Sequence, residues 1–369
     1  MNKENFQTFF DCGFSKVRAG TFNKHNTKEV FYIESEFFMD QLNLELNIQK
    51  IITSLEKESD EYINNINLMI DSPKILSIGI SVSKKLDGYE LKQSNVQFLV
   101  QEAKQQILKY YSNHNIIHII VNNYKIDGMD YPHLPNDIKG NFISLDILFI
   151  CLPNDLVFYF KNIFSKFNIF IEQIICSSYA KSINYKDILN LSGYVSFIDV
   201  GFNRASIISY FNDKILSFDI LPVGGNHITK DISKILEMDL ERSELVKRNF
   251  VNNPKLLNDQ DILIETLQKI IFARTEEILE LCAKYAESNS YSSGDFRMVL
   301  TGEGSKILDN QNKDKISFSN DIDFLEETLE DICQSGFKFI KGPNKQEVVV
   351  IPKKQTKQGF FEKFFHFFR

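Results

Sequence analysis

One strand pattern occurs twice in the chain, and this internal repeat restricts the fold more than any other feature of the sequence. Residues 6–38 read as FQTFFD, a Gly-Phe turn, SKVRAGTF, a polar turn and EVFYIESEFF. Residues 194–224 repeat that order as YVSFID, a Gly-Phe turn, RASIISYF, a polar turn and ILSFDILPV. Runs rich in β-branched and aromatic residues between turn signals predict two β-meanders. In both copies an Asp ends the first strand, so Asp11 and Asp199 are counterparts.

Helical patterns follow each meander. Apolar residues three and four apart run through QLNLELNIQKIITSLEKES, NDLVFYFKNIFSKF, HITKDISKILEM and ILIETLQKIIFARTEEILELCAKYAE. Two similar halves that each continue from a meander into helices predict a duplicated α/β fold with a cleft between the halves. The stretch 72–150 has alternating strand patterns and one helical pattern, which predicts an inserted α+β subdomain.

Composition excludes several classes of protein. With 369 residues, 43% of them hydrophobic and 25% charged, the chain is expected to form two or three folded domains. The net charge of −7 gives no basic footprint, which excludes nonspecific binding of nucleic acid by electrostatics alone. Five cysteines without a Cys-x-x-Cys pair predict reduced thiols, and no stretch has the apolar length of a signal peptide or a membrane-spanning helix. We therefore expect a folded protein inside the cell.

The two Asp-x-Gly turns and a third glycine-rich turn are candidate phosphate sites. At such a turn the glycine lets the backbone approach an anion, nearby N–H groups point at it, and the carboxylate orders water around magnesium. Ordinary hairpins contain such turns too, so the prediction depends on the matching pair at Asp11 and Asp199. The turn TGEGSK at 301–306 follows an apolar strand, a context in which glycines admit a ring or a ribose.

Five segments in order, DCGFSKV, YVSFIDVGF, LPVGGNHITKDIS, ERSELVK and RMVLTGEGSK, resemble the FtsA-like bacterial cell-division proteins of the actin-like ATPase superfamily. The resemblance covers most of the chain. It implies an α/β, actin-like (ribonuclease H-like, duplicated) two-lobed fold with an FtsA-type inserted α+β subdomain and a C-terminal amphipathic helix. The implied division is 1–71 plus 151–190 for the first lobe, 72–150 for the insert, 191–225 plus 296–342 for the second lobe, 226–295 for its helical small subdomain, 343–358 for a linker and 359–369 for a membrane-binding helix.

The same resemblance implies a site for ATP and Mg²⁺ between the lobes. Asp11 and Asp199 match residues that position magnesium through water, and they are the only candidates for a catalytic role. Glu244 and Lys247 match the pair that contacts ribose and adenine. The other implied contacts are the first phosphate loop (Gly13, Ser15, Lys16), the second (Gly201, Arg204), the glycines before a helix (Gly224, Gly225) and the adenosine loop (Gly302, Gly304).

The phosphate loops depart from the family pattern. The residues from Phe202 to Ser206 stand where the family has glycines, threonines and an Asp, so side chains occupy space that phosphate oxygens need. Phe14 replaces a threonine in the first loop, and Glu303 adds a negative charge to the third. We expect Arg204 to compensate partly by pairing with phosphate, nucleotide binding to be weakened or altered, and hydrolysis to be slow or absent.

The end of the chain, 359–369, has the clearest amphipathic pattern. At helical spacing its phenylalanines fall within an arc of about 160° opposite the polar residues. The predicted membrane contacts are Phe360, Phe361, Phe364, Phe365, Phe367 and Phe368 with the basic Lys363 and Arg369. A helix this short is unstable in water, so we expect it to form reversibly on anionic lipid. The alternative is a helix docked on its own domain or in a partner groove.

The resemblance implies that the chain tethers filaments of the tubulin-like FtsZ to the cytoplasmic face of the membrane at the division site. The helical subdomain would receive the FtsZ C-terminal peptide, the insert would support self-assembly into protofilaments, and other division proteins would be partners. Lobe closure on ATP would act as the conformational switch. Two alternatives stay open: an active ATPase of another membrane assembly, as in PilM-like proteins, and a pseudo-ATPase scaffold.

Overall fold

The computed structural model describes residues 5–26, 29–36, 41–135, 137–252, 264–288, 296–307 and 322–342. The predicted linker at 343–358 and the predicted membrane helix at 359–369 lie outside these residues, as do all eight of its predicted membrane contacts. In the described ranges, none of the helices is both long enough and apolar enough to cross a membrane.

The first predicted meander forms one side of a five-stranded sheet. Its strands are β1 (Phe6–Cys12), β2 (Lys16–Asn23), β3 (Val30–Glu36), β4 (Asn65–Ile70) and β9 (Phe170–Cys176). In the order β3-β2-β1-β4-β9, the meander pairs are antiparallel, whereas β4 is parallel to both β1 and β9. Helices α1 (Gln41–Ser59), α3 (Asn154–Ser165) and α4 (Ser177–Ile188) connect or follow these strands and, with this first sheet, make up what we call the first lobe.

The second meander forms a sheet of the same topology. Its strands are β10 (Tyr194–Val200), β11 (Ala205–Phe211), β12 (Lys214–Leu221), β13 (Phe296–Thr301) and β14 (Ile322–Phe324), in the order β12-β11-β10-β13-β14. The first hairpin of each sheet has the same register, with Cys12 opposite Val17 and Val200 opposite Ala205. Asp11 and Asp199 therefore occupy equivalent positions, one residue before the end of each first strand. The predicted duplicated α/β fold is confirmed.

Three helices lie between β12 and β13 and, with the second sheet, make up the second lobe: α5 (Gly225–Ile235), α6 (Leu240–Asn252) and α7 (Ile264–Ser288). Between β4 and α3 the chain forms a third sheet and one helix: β5 (Leu76–Lys85), α2 (Gln93–Tyr110), β6 (His114–Ile126), β7 (Met129–Tyr131) and β8 (Phe142–Pro153). This antiparallel sheet has the order β5-β8-β6-β7 and its own apolar core against α2.

The last described helix, α8 (Leu329–Lys341), packs on the first sheet and against α4. The family resemblance implies that the residues of α8 belong to the second lobe, within 296–342. Close packing depends on two glycines. A Cβ at Gly20 would lie 2.8 Å from Cβ of Cys333, and a Cβ at Gly336 would lie 2.5 Å from Sδ of Met69. Because α8 fits so closely, one apolar core joins the first sheet, α8 and the facing side of the second sheet.

Candidate functional site

The two Asp-x-Gly turns form matching hairpin loops. The amide of Gly13 donates to the carbonyl of Lys16 at 2.9 Å, and the amide of Gly201 donates to the carbonyl of Arg204 at 2.8 Å. These bonds leave residues 14–15 and 202–203 at the loop tips. Within the described part of the chain, the backbone amides at these tips donate to no acceptor. The paired loops therefore offer free N–H groups, which are suitable donors to an anion.

The third loop approaches the second closely enough to require glycine. Gly302 has a φ of +95°, in the left-handed region, and a Cβ there would lie 2.5 Å from the carbonyl oxygen of Val200. At Gly304 a Cβ would lie 2.7 Å from Cγ1 of Val200. This packing places Glu303, between the two glycines, at the cleft.

The start of α5 is fixed to the second loop as well. The amides of Gly225 and Asn226 donate to the carbonyls of Gly201 and Phe202 at 3.0 and 2.7 Å. A Cβ at Gly224 would lie 2.5 Å from the carbonyl oxygen of Gly201, so this position admits no side chain without a shift of the loop. Gly224 therefore supports the loop rather than lining the cavities beside it.

Glu244 and Lys247, on α6, contact each other. The ammonium group of Lys247 donates to the Gly225 carbonyl at 2.9 Å, to Oγ1 of Thr229 at 2.8 Å and to Oε2 of Glu244 at 2.6 Å. Burial lowers the pKa of Lys247, and the charge of Glu244 opposes that shift only in part. All three ammonium protons are used, so a ribose or a base would have to replace one of these acceptors. The other oxygen of Glu244 accepts from Nε of Arg248 at 2.9 Å.

Asp199 is buried between two cations. Its Oδ2 lies 3.0 Å from Nη2 of Arg204 and 2.7 Å from Nζ of Lys181. The same Nη2 of Arg204 also contacts Oδ2 of Asp71, which follows β4 in the first lobe. Burial alone would raise the pKa of Asp199, but the charges of Arg204 and Lys181 outweigh that effect and hold it well below its ordinary value. Arg204 thus pairs with carboxylates from both lobes.

The charge of Glu303 is also paired. Its carboxylate lies 2.7 Å from Nη2 of Arg18, 3.0 Å from Nζ of Lys306 and 3.4 Å from Nζ of Lys16. Burial would raise the pKa of Glu303, but Arg18, Lys16 and Lys306 together lower it to about 2. Arg18 also contacts Asp11 at 3.2 Å, and Asp11 accepts a 2.7 Å hydrogen bond from Ser177. The cleft therefore contains a network of ion pairs between the two lobes in two groups, one around Arg18 and Glu303 and one around Arg204 and Lys181.

The predicted contacts line two adjoining cavities. The outer cavity is about 100 Å³ and is lined by Ser15, Lys16, Gly201, Gly225, Glu244, Lys247 and Gly304, together with residues such as Arg248. The inner cavity is about 70 Å³ and is lined by Asp11, Gly13, Ser15, Lys16, Asp199, Gly201, Arg204 and Gly302, together with Asp71, Lys181 and Glu327. Ligand pockets usually measure about 300–1,000 Å³, so neither of these two cavities alone is large enough for a nucleotide. That these residues bind nucleotide stays a prediction.

The arrangement does not fit the magnesium ion expected beside Asp11 and Asp199. Each carboxylate that faces the inner cavity from a strand end is already paired with a basic side chain: Asp11 with Arg18, and Asp71 and Asp199 with Arg204. Among the residues that the structure describes, no group of three or more His, Cys, Asp or Glu side chains is placed to hold a metal.

Sequence reasoning missed four charged residues of this network: Arg18, Asp71, Lys181 and Glu327. Asp71 could have been found, because it follows the buried strand β4, which runs parallel to β1 and ends at the same sheet edge as Asp11. Lys181 lies on α4 and is buried, with Nζ 3.0 Å from Glu327. Nothing in its local sequence distinguishes it from an exposed helical lysine.

Comparison with known proteins supports the resemblance. The family model described as "Cell division protein FtsA" matches residues 196–290. The cell-division protein FtsA of Buchnera aphidicola (subsp. Acyrthosiphon pisum) is 24% identical over 364 residues, which cover 86% of this chain and 84% of that protein. FtsA of Bacillus subtilis is 26% identical over 238 residues, 60% of this chain and 53% of that protein.

Solved structures show the same fold at low sequence identity. The PilM–PilN type IV pilus biogenesis complex contains a chain that is 12% identical, with a TM-score of 0.63 over 88% of this chain and 89% of that one. The ethanolamine utilization protein EutJ of Carboxydothermus hydrogenoformans is 7% identical, with a TM-score of 0.50 over 91% of both chains. By its sequence relatives this chain is similar to the FtsA cell-division proteins, and its duplicated sheets form the fold of the actin-like ATPases.

Proposed function

We propose that this chain works in bacterial cell division by tethering FtsZ filaments to the cytoplasmic face of the membrane at the division site. The match of residues 196–290 to the FtsA family model carries the proposal, because it covers most of the second sheet and the helices α5 to α7. The proposal assigns those helices to the FtsZ C-terminal peptide. It assigns the third sheet and α2 to self-assembly, with other division proteins as further partners.

Exposed apolar side chains on the helices of the second lobe support a peptide-binding role. Ile235 at the end of α5 is 56% exposed and Leu245 on the neighbouring α6 is 54% exposed. Apolar anchors of this kind on adjoining helices are typical contacts for a short peptide. Fluorescence anisotropy with labelled FtsZ C-terminal peptide tests this.

Leu245→Asp should weaken peptide binding at least about tenfold, since it places a charge in an apolar contact. Phe170→Asp is the matched control, because Phe170 is also exposed, at 66%, but lies on β9 of the first sheet. No binding by the unaltered chain would contradict the FtsZ role and favour an assembly of another kind, such as the PilM–PilN type IV pilus biogenesis complex.

The predicted amphipathic segment at 359–369 supports membrane attachment. Burial of its aromatic face would contribute on the order of 6–10 kcal/mol before ordering costs, and each basic residue about 1 kcal/mol near anionic lipid. Co-sedimentation with anionic vesicles should pellet the full chain and leave a truncation that ends at Lys357 in solution. Equal pelleting of the two would exclude attachment through this segment.

We also propose that an adenine nucleotide binds between the lobes and shifts their equilibrium toward the closed arrangement. Two loops with free backbone amides and a neighbouring group of basic side chains support this assignment. Titration with fluorescently labelled ATP tests binding, and release of inorganic phosphate tests turnover.

We expect binding without appreciable hydrolysis. The paired carboxylates favour a pseudo-ATPase scaffold over an active ATPase, because Asp11 and Asp199 are each engaged by a basic side chain and do not serve as free bases. Multiple-turnover hydrolysis would contradict that part of the proposal.

A further inference from the structure

Arg204 occupies a bridging position between the two lobes. Its Nη2 contacts carboxylate oxygens of Asp71, at the end of β4, and of Asp199, near the end of β10. Its Nη1 donates to the backbone carbonyl of Asp199 at 2.6 Å. The side chain is buried, so both carboxylates meet its positive charge away from water. One cation thus holds two carboxylates from separate lobes, which is the arrangement that a bridging divalent cation provides in other sites.

Lys181 supplies a second positive charge to the same carboxylate cluster. Its Nζ lies 2.7 Å from Asp199 and 3.0 Å from Glu327, and Tyr185 donates to the other side of this cluster, at 2.9 Å from Glu327. Burial would lower the pKa of Lys181, but the charges of Asp199 and Glu327 raise it above its ordinary value. Lys181 is therefore charged at neutral pH, and Asp199 lies beside two positively charged side chains, those of Lys181 and Arg204.

The ion pairs around the inner cavity balance their charges without a metal ion. Five acidic side chains line the cavity, Asp11, Asp71, Asp199, Glu303 and Glu327, together with four basic ones, Lys16, Arg18, Lys181 and Arg204. Lys306 lies outside this cavity but pairs with Glu303, which makes five basic side chains in the cluster. A divalent cation would add two positive charges to a balanced cluster and would have to displace a buried guanidinium. Both changes are unfavourable, since they require the pairing of buried charges to be broken.

The outer cavity, by contrast, has an excess of positive charge. Four basic side chains line it, Lys16, Lys247, Arg248 and Lys306, against three acidic ones, Glu36, Glu244 and Glu303. The cavity thus has one excess positive charge, and the loop tips at 14–15 and 202–203 adjoin it with free amides. These features favour the binding of an anion that has no metal ion bound to it.

We propose that Arg204, assisted by Lys181, takes the place of a divalent cation in this cleft, so that the chain binds the phosphates of its nucleotide in metal-free form. That the ligand is a nucleotide rests on the proposed function. That Arg204 replaces a metal ion rests only on the geometry of Arg204, Asp71 and Asp199. Two measurements test these two statements separately.

The first measurement is of the cation itself. Titration of Mn²⁺ by electron paramagnetic resonance, with no nucleotide present, should detect no bound ion on the unaltered full-length chain. Arg204→Ala removes the guanidinium from Asp71 and Asp199 and should create a divalent site, with affinity raised at least about tenfold. Arg274→Ala is the control, because Arg274 pairs with Asp231 and Glu277 away from the cleft. The proposal that Arg204 takes the place of a divalent cation would be overturned by a bound Mn²⁺ on the unaltered chain. It would also be overturned if Arg204→Ala did not gain affinity for Mn²⁺.

The second measurement is of nucleotide. Fluorescently labelled ATP is titrated into the full-length chain in magnesium buffer and in EDTA. The proposal expects dissociation constants that agree within about twofold, and a dependence on magnesium only in Arg204→Ala. Binding that requires magnesium in the unaltered chain would overturn the inference and leave the proposed nucleotide switch intact. An absence of binding in both buffers would overturn metal-free nucleotide binding together with the switch, while the Mn²⁺ titration would still decide the role of Arg204.

Discussion

Arg18 in the first lobe and Glu303 in the second are joined across the cleft by an ion pair of 2.7 Å. Both groups are largely buried, and Arg18 also holds Asp11. A single guanidinium therefore couples Asp11, beside the first Asp-x-Gly loop, to Glu303 in the third loop. Such pairs should therefore stabilise the folded protein even when no ligand is bound.

Removal of the buried Lys181 should strongly destabilise the protein. Lys181→Ala leaves Glu327 buried without its cation and Asp199 with only Arg204, and breaking a buried pair in this way costs about 3–5 kcal/mol. The free energy of unfolding from urea titration measures the loss. Lys166→Ala is the matched control, because Lys166 forms an exposed pair with Glu45 and should cost at most about 1 kcal/mol. Similar losses in the two variants would contradict a special role for Lys181.

Acid should weaken the contact between the third loop and the first lobe. The pKa of Glu303 is lowered to about 2 in the folded protein, below the value of about 4.3 in an unfolded chain. A lowered folded pKa adds stability that is fully present above the unfolded value and is lost as the pH falls toward the folded value. The loss should amount to about 2–3 kcal/mol between about pH 5 and about pH 2.

Glu303→Gln should remove that part of the pH dependence, because the amide does not titrate. Unfolding midpoints in urea at about pH 6 and about pH 3 provide the comparison. The variant should be less stable at the higher pH and should lose less on acidification. The same acid sensitivity in both proteins would show that Glu303 does not contribute it.

The contact of α8 with the first sheet should tolerate no additional methyl group. A Cβ at Gly336 would lie 2.5 Å from Sδ of Met69 and 2.8 Å from Cδ1 of Phe9, so Gly336→Ala should cost about 1–3 kcal/mol by overpacking. Gly79→Ala is the control, since a Cβ there meets nothing within 4 Å. Thermal unfolding should show a lowered midpoint only for the first variant. An unchanged midpoint for Gly336→Ala would mean that α8 moves away at little cost.

Gly302→Ala should disturb the cleft in two ways. The residue has a φ of +95°, which disfavours alanine, and its Cβ would clash with Val200 and Asp199. Gly193→Ala separates the two effects, because Gly193 has a φ of +78° but open space around it. Strain alone should cost about 1 kcal/mol at Gly193, whereas Gly302→Ala should cost more in urea unfolding. Equal costs would show that the loop yields easily around Asp199.

The internal repeat predicted much of this architecture. It placed Asp11 and Asp199 at equivalent strand ends, and the common register of the two hairpins confirms that relationship. The reason is local: alternation and turn residues act over a few positions, so they can be read from a single sequence. The assignment of nucleotide contacts stays a prediction, and the tail at 359–369 lies outside the described residues.

The ion pairs could not be predicted in the same way. Arg204 was expected to meet phosphate, but its partners Asp71 and Asp199 come together only when the two sheets face each other. The helix α8 was missed although its start carries a signal. Thr328 accepts from the amide of Asp331, and the Asp331 carboxylate accepts from the amide of Thr328. The nearby change to a polar, lysine-rich sequence obscured that capping box.

The close fit of α8 on the first sheet determines which lobe holds the last described residues of the chain. Gly342, the last residue that the structure describes, directly follows α8 and is therefore fixed to the helix that packs on the first sheet. If lipid held the C-terminal segment and a filament held the helices of the second lobe, tension would cross the contact between the lobes. That contact consists of the shared apolar core and of the ion pairs of Arg18, Lys181 and Arg204. It would then serve as the mechanical joint of the molecule.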